Sequence, residues 1–407
     1  MDDTDAPEGP LDPRAAADRM LALRERALAD QGAERVAPGA GVAGRVLAEP
    51  VVAPADLPPH DVATMDGYAF APEDGYPLHV RDDQSFPEDD PGALDAGEAV
   101  RIATGAFLPE RASAVLKVEE ATVESGELRG PTIEAGTDVY QQGSNVSAGE
   151  TVVEAGERLA PRDAILLADL GVEPLVRAPF TVGVLGTGSE LHAGEEPDRD
   201  SPMLRELLAS WGHDPTYEGT VPDEEERVRE AVSDLADTYD VVVTSGGTSV
   251  GTKDYVERTF GSLGDIAFRG LAVRPGGPVV VADLEGAIGI GVPGKPIGAH
   301  TVALLALRPF FAGETALPTV PATMACDLPV PDREGGFVVP VTLAEGTEGT
   351  EATPLGHRDS ALPLFERFDP NVLSSATRTT RADGFVLTDE ALGEDQRVGV
   401  VLYESVE

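Results

Sequence analysis

Residues 180–317 show the hydrophobic pattern of a parallel α/β sheet. Short apolar runs bounded by glycine alternate with longer segments whose apolar residues recur every three or four positions. The pattern predicts strands at residues 181–185, 241–244, 279–282 and 287–292, and helices at residues 203–211, 224–235, 254–260 and 297–311. Because helices and strands alternate, we expect a doubly wound sheet.

The flanking segments follow other patterns. Residues 13–31 predict an amphipathic helix interrupted by Arg24, and its apolar stripe consists of Ala17, Met20, Leu21, Ala27 and Leu28. A second helix is predicted at residues 161–170, with Gly171 as its C-cap. Short strands separated by proline, glycine and aspartate predict β modules before and after the central sheet, the latter at residues 337–341, 385–387 and 398–402.

Together these patterns predict a multidomain protein of α/β plus β class. We expect an acidic disordered leader at residues 1–12 and a linker or dimerisation domain formed by residues 13–51 with 140–178. A small, mostly β domain is predicted at residues 52–139, the α/β domain at 179–317, and a C-terminal β domain at 318–407.

The charge of the chain is extreme. The formal net charge is −43, although 41% of the residues are hydrophobic and suffice for several cores. Self-repulsion of this size opposes a compact state in dilute buffer, whereas molar salt shortens the Debye length to about 3 Å. We interpret the charge as adaptation to high salt, and it disfavours binding to nucleic acid.

Several classes of protein are disfavoured by the sequence. No apolar run approaches the length of a membrane span, and the N-terminus is acidic where a secretion signal would be basic. Cys326 is the only cysteine, so no intrachain disulfide can form, and the six histidines do not occur at zinc-ligand spacing. We expect a cytoplasmic protein without membrane contact or structural zinc.

A glycine-rich loop with the residues of an anion site follows the strand predicted at residues 241–244. Gly246 and Gly247 allow backbone N–H groups to approach a ligand, and Ser245, Thr248 and Ser249 add hydroxyls. These features predict a phosphate-bearing ligand. The alternative is a tight turn that binds nothing.

Two further loops should reach the same place. Ligands of doubly wound sheets bind beyond the carboxyl ends of the strands, where residues 186–190, 245–254 and 293–296 would converge. Only three of the 30 basic residues are lysines, and Lys253 and Lys295 both lie in these loops, whereas Lys117 lies elsewhere. Contact with an anion would explain this placement, and chance is the alternative.

Five segments together resemble one protein family. They are MetAspGlyTyrAla at residues 65–69, ThrGlyAla at 104–106, GlyThrGlySerGlu at 186–190, SerGlyGly at 245–247 and ProGlyLysPro at 293–296. In this order and spacing they resemble the molybdopterin molybdenumtransferases, the MoeA and gephyrin E-domain family. Each glycine loop alone is a weak signal, but their combination is specific.

The resemblance implies a fold and a reaction. It implies a MogA-like central sheet, a C-terminal β-barrel-like domain and a homodimer. Members of the family take adenylyl-molybdopterin and molybdate, cleave the phosphoanhydride with a divalent cation, usually Mg²⁺, and release AMP. Carboxylates beside glycine-lined anion sites also suit a magnesium-assisted reaction at phosphorus on chemical grounds alone.

The resemblance also implies site residues. The catalytic candidates are Asp66, Glu190, Asp240 and Asp254, of which the last three are candidate metal ligands. The candidate substrate-binding residues are Thr104, Gly105, Ser245, Gly246, Gly247, Ser249, Lys253, Arg274, Pro293, Gly294, Lys295 and Pro296.

Structural roles remain open for several of these residues. Asp66 or the Thr104–Gly105 pair could serve a turn only. Asp240 could be a solvated edge charge, and Glu190 and Asp254 could cap the helices that follow them.

The chain departs from the family pattern at several positions. Residues 141–145 read GlnGlnGlySerAsn where the family usually has ArgArgGlyGluAsp, and Asn145 is a poorer partner for Mg²⁺ than aspartate. Gly277 stands where lysine is usual, and Lys295 stands where an amide is usual. We hypothesise that Lys295 restores positive charge lost at Gly277 and in residues 141–145.

Three alternative functions remain open at this stage. A non-catalytic molybdopterin carrier would keep the fold without turnover. A tungstate-inserting paralogue would use the same residues, because the two oxyanions are nearly equal in size. A nucleotide amidase or pyrophosphatase of the competence-damage type would share only the central domain.

Overall fold

The computed structural model describes residues 9–38, 41–248, 255–346, 349–355 and 368–407. Most of the predicted leader, together with Ser249, Lys253 and Asp254, lies outside these ranges. The chain divides into two compact units. Met1–Gly32 and Arg177–Glu407 form one, called the core unit here, and Ala33–Val176 form the other, called the inserted unit.

Helix α1 (Pro13–Asp30) opens the core unit and confirms the predicted helix, although its buried face includes Leu23, which the predicted stripe omitted, while Leu21 is only half-buried. Asp12 caps it, because its Oδ1 accepts the N–H groups of Arg14 at 3.0 Å and Ala15 at 3.1 Å. The expectation that Arg24 interrupts the buried stripe is wrong. Arg24 is itself buried and donates from Nη1 to the carbonyl oxygen of Phe310 at 2.9 Å, so the helix is fixed by a polar contact as well as by apolar packing.

The inserted unit is mostly β structure. Its six-stranded sheet has the order β7-β4-β6-β5-β9-β8, and three two-stranded pairs join β1 to β12, β2 to β11 and β3 to β10. Helix α2 (Asp163–Leu170) ends at Gly171, whose φ of 63° confirms the predicted C-cap. The strands are β1 (Ala33–Arg35), β2 (Val51–Val52), β3 (Val62–Ala63), β4 (Gly67–Phe70), β5 (Leu78–Ser85), β6 (Glu98–Ile102), β7 (Ala114–Lys117), β8 (Thr122–Glu124), β9 (Glu127–Arg129), β10 (Val139–Tyr140), β11 (Thr151–Val153) and β12 (Leu175–Arg177).

The core unit contains the predicted α/β sheet, with strand order β14-β13-β15-β19-β18-β16. The strands are β13 (Thr181–Thr187), β14 (Asp214–Val221), β15 (Val241–Ser245), β16 (Gly264–Arg269), β17 (Val273–Arg274), β18 (Val280–Leu284) and β19 (Ala287–Val292). The helices are α3 (Ser189–His192), α4 (Asp200–Ser210), α5 (Glu225–Ala236), α6 (Tyr255–Leu263), α7 (Pro296–Val302) and α8 (Arg308–Ala312), with a π-helical turn at Ala303–Leu307 between the last two. Strands β14, β13, β15 and β19 run parallel, while β18 is antiparallel to both of its neighbours, β19 and β16.

Both faces of this sheet are covered, which confirms the doubly wound architecture. Side chains of α1, α4 and α7 share one apolar cluster with alternate residues of β13, β15 and β19. Side chains of α5 and α6 pack with the opposite face. All five residues of β15 are buried, as expected for a central parallel strand.

The sequence patterns missed β14 and β16. Strand β14 lies at one edge of the sheet and has mostly exposed or half-buried residues, and β16 lies at the other edge. Edge strands need no continuous apolar run, so hydrophobic periodicity does not reveal them.

The C-terminal strands of the core unit close into a barrel, which confirms the expected barrel-like domain. The order β21-β22-β20-β24-β23 is closed by pairing of β23 with β21, and β17 adds to β21. The elements are β20 (Thr319–Met324), β21 (Gly336–Gly346), β22 (Gly349–Pro354), α9 (Pro370–Leu373), β23 (Gly384–Thr388) and β24 (Arg397–Leu402). No helix within the described residues has the length and apolarity to span a membrane.

The charge predicts a strong effect of salt on stability. The ion pairs of α5, such as Arg227 with Glu230 and Arg229 with Glu226, join exposed side chains and neutralise little of the net charge. We expect the thermal midpoint, followed by circular dichroism, to rise by about 5 °C or more between 0.1 M and 2 M KCl. Sorbitol of equal osmolality is the control and should have a smaller effect. A midpoint insensitive to KCl would show that charge repulsion does not limit stability.

Candidate functional site

The carboxyl ends of three parallel strands lie side by side in the core unit. Gly186 of β13 is in register with Ser245 of β15, which is in register with Val292 of β19. The loops that follow these strands therefore leave the sheet at one edge. The predicted convergence of the three loops is confirmed for their described residues, and we call this edge the rim.

Glycines allow the rim loops to touch. A Cβ on Gly246 would lie 2.5 Å from the carbonyl oxygen of Thr187, and a Cβ on Gly294 would lie 3.1 Å from the Cα of Gly246. Gly246 also has a φ of 93°. A side chain at Gly246 would thus push the β13 and β15 loops apart.

The role expected for the backbone of Gly246 needs a correction. Its N–H donates to the carbonyl oxygen of Val292 at 3.0 Å and extends the pairing of β15 with β19, so this donor is not available to a ligand. The N–H groups of Gly247 and Thr248 have no partner among the described residues. The anion donors of this turn therefore begin one residue later than the sequence suggested.

Glu190 occupies the first rim loop. It is exposed on α3, immediately after β13. The loop is tied to the segment after β14, because Asp223 accepts from the Ser189 N–H at 3.4 Å and donates its own N–H to Ser189 Oγ at 3.1 Å. No sequence pattern singled out Asp223, although its position two residues before α5 made it a candidate helix-terminal acid.

Pro293, Gly294, Lys295 and Pro296 form the third rim loop. Lys295 is exposed directly before α7, and its carbonyl oxygen accepts the N–H of Ala299 at 2.8 Å. Its ammonium has no ion-pair partner among the described residues. A cation is thus held at the rim of a strongly acidic protein.

Arg274 lies on β17, which pairs with the barrel strand β21. Its Nη1 donates to the carbonyl oxygen of Glu334 at 2.9 Å. The following turn reaches α7, because a Cβ on Gly276 would lie 3.1 Å from Cγ2 of Thr301. The turn after Arg274 thus packs against α7, whereas the Arg274 guanidinium binds a loop of the barrel.

Asp240 does not join the rim. It precedes β15 and lies at the amino end of the strand, roughly 16–20 Å from the turn at Gly246 at about 3.3 Å per residue. Its Oδ2 accepts the Thr181 N–H at 2.7 Å and the Thr181 hydroxyl at 2.8 Å. The expectation that Asp240 joins Glu190 in one metal site is wrong for this reason, and the geometry supports a structural role in pairing β13 with β15.

A buried acid lies beneath the rim that the sequence analysis did not single out. Asp200, the first residue of α4, is 5% exposed, and its Oδ2 accepts the Ser245 hydroxyl at 2.8 Å. Burial raises the pKa of this carboxyl to about 6, and the neighbouring Asp198 adds to the shift. Asp198 also caps α4, because its Oδ1 accepts the N–H groups of Asp200 at 3.1 Å and Ser201 at 3.0 Å.

A second group of predicted site residues lies within the inserted unit. Asp66, just before β4, accepts the N–H and the hydroxyl of Thr104, both at 2.7 Å. These bonds, the backbone N–H first, and the nearby Arg101 hold the pKa of Asp66 below its ordinary value. Asp66, Thr104 and Gly105 are all exposed. Asp66 is therefore ionised at neutral pH and fixed against the Thr104 turn.

Comparison with known proteins identifies the family. Residues 14–171 match the family described as MoeA N-terminal region (domain I and II), and residues 183–313 match the family described as probable molybdopterin binding domain. The molybdopterin molybdenumtransferase of Haemophilus influenzae is 31% identical over 287 residues, which cover 66% of this chain and 70% of that protein. The chain belongs to the molybdopterin molybdenumtransferase family.

Further relatives extend the similarity along the chain. The molybdopterin molybdenumtransferase of Bacillus subtilis is 30% identical over 342 residues, covering 77% of this chain and 79% of that protein. The crystal structure of the molybdopterin biosynthesis moea protein from Pyrococcus horikosii superposes with a TM-score of 0.72 at 27% identity, covering 95% of this chain and 98% of that chain. The rim loops fall in the segment matched to the molybdopterin binding domain.

Residues 141–145, which depart from the pattern of the molybdopterin molybdenumtransferases, are held by two acids of the inserted unit. Gln142 donates its N–H to Asp61 Oδ1 at 2.8 Å and its Nε2 to Asp56 Oδ2 at 3.1 Å. Asp56 Oδ1 also accepts the N–H of Ala148 at 2.8 Å. Only the bond from Gln142 Nε2 to Asp56 depends on the neutral side chain, because the other two donors are backbone N–H groups.

The described residues contain no group of three or more His, Cys, Asp or Glu side chains that could enclose a metal ion. Asp254, a candidate ligand, lies outside the described residues. Because Mg²⁺ usually takes one or two carboxylates together with substrate phosphates and water, the exposed Glu190 fits as a single ligand. A site made by protein alone is not present in the described part of the chain.

Substitution of Gly246 tests the contact between the rim loops. We expect Gly246→Ala to lower the free energy of unfolding by about 1–3 kcal/mol more than Gly286→Ala, measured by denaturant titration, because only the former adds a clash. Gly286 is the matched control, since its φ is 102° and a Cβ there would meet nothing within 4 Å. Both variants share the strain of a left-handed residue, about 1–2 kcal/mol. Equal destabilisation would argue against loop contact at Gly246.

Proposed function

We propose that the protein is a molybdopterin molybdenumtransferase, which inserts molybdate into adenylyl-molybdopterin and releases AMP to give the molybdenum cofactor. The rim carries this proposal. Two backbone N–H groups without a partner among the described residues lie there, with the exposed Lys295 and the exposed Glu190, within the segment matched to the molybdopterin binding domain. The relatives named molybdopterin molybdenumtransferase support the same reaction.

The neutral donors and the charged side chain at the rim have different roles in the proposed reaction. The N–H groups of Gly247 and Thr248 are suited to phosphate oxygens, and the Lys295 ammonium adds a full positive charge beside them. Charge accumulates on the phosphate that leaves with AMP, and fixed donors and a cation stabilise that charge as it forms. Ser249, Lys253 and Asp254 remain proposed members of the site on the resemblance alone.

We further propose Mg²⁺ as the metal cofactor, with Glu190 as a ligand alongside substrate phosphate oxygens. When bound there, the ion would neutralise phosphate charge and make the phosphoanhydride easier to cleave. The position of Asp240 at the other edge of the sheet removes it from this ligand set.

We also propose a location, an assembly and further site residues for the protein. The protein acts in the cytoplasm as a homodimer adapted to high salt, and Asp66, Thr104 and Gly105 take part in substrate binding or catalysis. A non-catalytic molybdopterin carrier is the second candidate, because Gln142 occupies Asp56 and Asp61 where the family usually presents charged residues.

Release of AMP distinguishes the two candidates. Purified protein in high salt should release AMP from adenylyl-molybdopterin when molybdate and MgCl₂ are present, and chromatography of the products measures it. Excess EDTA is the control and should suppress the release. Binding of adenylyl-molybdopterin without AMP would identify a carrier, while tungstate in place of molybdate tests the choice of oxyanion.

Lys295 tests the role of positive charge at the rim. We expect Lys295→Ala to raise the molybdate concentration for half-maximal AMP release by about 10-fold, because a charge-assisted hydrogen bond contributes about 1.5–3 kcal/mol at most. Arg227→Ala is the control, since it removes one positive charge from the exposed face of α5. Unchanged molybdate dependence in Lys295→Ala would remove this lysine from the oxyanion site.

A further inference from the structure

The buried carboxyl beneath the rim has one satisfied and one unsatisfied oxygen. Oδ2 of Asp200 accepts the Ser245 hydroxyl at 2.8 Å, whereas Oδ1 is buried and has no hydrogen-bond partner among the described residues. A buried polar atom without a partner costs free energy and calls for an explanation. Asp200 lies next to the turn that supplies the anion donors, and this position offers an explanation.

That turn begins at the residue to which Asp200 is bonded. Ser245 is the last residue of β15, and Gly247 and Thr248, whose N–H groups lack described partners, follow within three residues. Thr187 Oγ1 donates to the carbonyl oxygen of Ser245 at 3.2 Å, so both sides of this residue are fixed. Any charge on Asp200 is therefore close to a ligand in the turn.

Few charges compensate Asp200. Asp198 raises the pKa of the carboxyl and Arg199 lowers it, and both belong to the segment that begins α4. The elements packed against α4 are β13, β14 and α7. Strand β13 carries no titratable side chain, and the titratable residues of the other two are Asp214, Tyr217, Glu218 and His300. No lysine or arginine lies on these three elements or on β15, which contributes Ser245; Lys295 directly precedes α7 and is exposed at the rim.

We propose that Asp200 is a positioning residue that holds Ser245 and accepts a proton from solvent when the anionic substrate binds at the Ser245–Thr248 turn. The inference rests on the proposed function, because it takes the substrate to be a pyrophosphate-bearing pterin nucleotide. A carboxylate and a hydronium ion give a carboxylic acid and water, so no other reactant is needed. The proton occupies Oδ1, which leaves Oδ2 free to keep its bond to Ser245.

The physical reason is repulsion between two anions. A phosphate anion at the turn and an ionised Asp200 would repel each other, water screens this repulsion less because the Asp200 carboxyl is buried, and protonation of the acid removes it. Since the free carboxyl has a pKa of about 6, most of it is ionised at pH 7 and can take up a proton. The affinity for substrate is then constant below about pH 6 and falls as the pH rises through the pKa of the free carboxyl.

Calorimetry measures the proton directly. Adenylyl-molybdopterin is titrated into the full chain with EDTA and without molybdate, at pH 7 in two buffers of different ionisation enthalpy. Its disubstituted pyrophosphate does not titrate in this range. We expect the wild type to take up about 0.5–0.9 proton per substrate bound, as a carboxyl with a free pKa near 6 allows.

Two variants distinguish proton uptake by Asp200 from proton uptake by another acid near the rim. Asp200→Asn keeps an oxygen for the Ser245 hydroxyl and should bind without this proton uptake, with an affinity that varies little between pH 6 and 8. Asp223→Asn removes another acid near the rim, and it should keep the uptake. Proton uptake by Asp200→Asn equal to that of the wild type would overturn the proposal.

A further measurement does not depend on the folding of Asp200→Asn. The Ser245 hydroxyl lowers the pKa of Asp200, so Ser245→Ala should shift the inflection in the affinity of the substrate to higher pH. A wild-type affinity that is flat between pH 5 and 8 would refute the inference. Absence of any substrate binding by the wild type would refute the proposed function itself, whereas binding without proton uptake would refute only the role of Asp200.

Discussion

Contact between the ends of β13, β15 and β19 is the constraint on which the site depends. These strands are parallel and in register, so their carboxyl ends and following loops meet at one edge. The hydrogen bond from Gly246 to Val292 and the close approach of Gly246 to Thr187 lock two pairs of loops together. Gly246 therefore packs the loops together, and the backbone N–H groups suited to ligand binding belong to the residues after it.

Much of the fold could be predicted from the sequence because its strongest signals are local. Valine-rich runs predicted β13 and β15, and a stripe of apolar residues predicted α1. The edge strands β14 and β16 escaped detection, because exposed edges carry polar residues. The charge of Arg24 suggested a break in the buried stripe of α1. Its guanidinium instead donates to the carbonyl oxygen of Phe310, 286 residues later in the chain, and this contact allows Arg24 to be buried.

The site was less predictable than the fold. Asp240 was placed with Glu190 by resemblance, although a residue before a strand and a loop after it must lie at opposite edges of a sheet. No sequence pattern indicated Asp200, because its role depends on burial and on a hydrogen bond from the Ser245 hydroxyl, 45 positions further along the chain. Sequence spacing shows which loops can meet, whereas the chemistry beneath them depends on tertiary contacts.

The interrupted core unit has a consequence for how the chain is made. Helix α1 is synthesised before the rest of the core unit, but the carbonyl group that binds Arg24 belongs to Phe310, 286 residues later. At about 5–20 residues per second, the helix waits roughly a quarter of a minute to a minute on the ribosome for its docking surface. Meanwhile the inserted unit can fold, and the return of Ala178 to Gly32, joined by a 2.8 Å backbone hydrogen bond, brings the two parts of the core unit together only after that unit has been synthesised. Nascent α1 therefore exposes an apolar face for much of translation, a period in which chaperones have access to it.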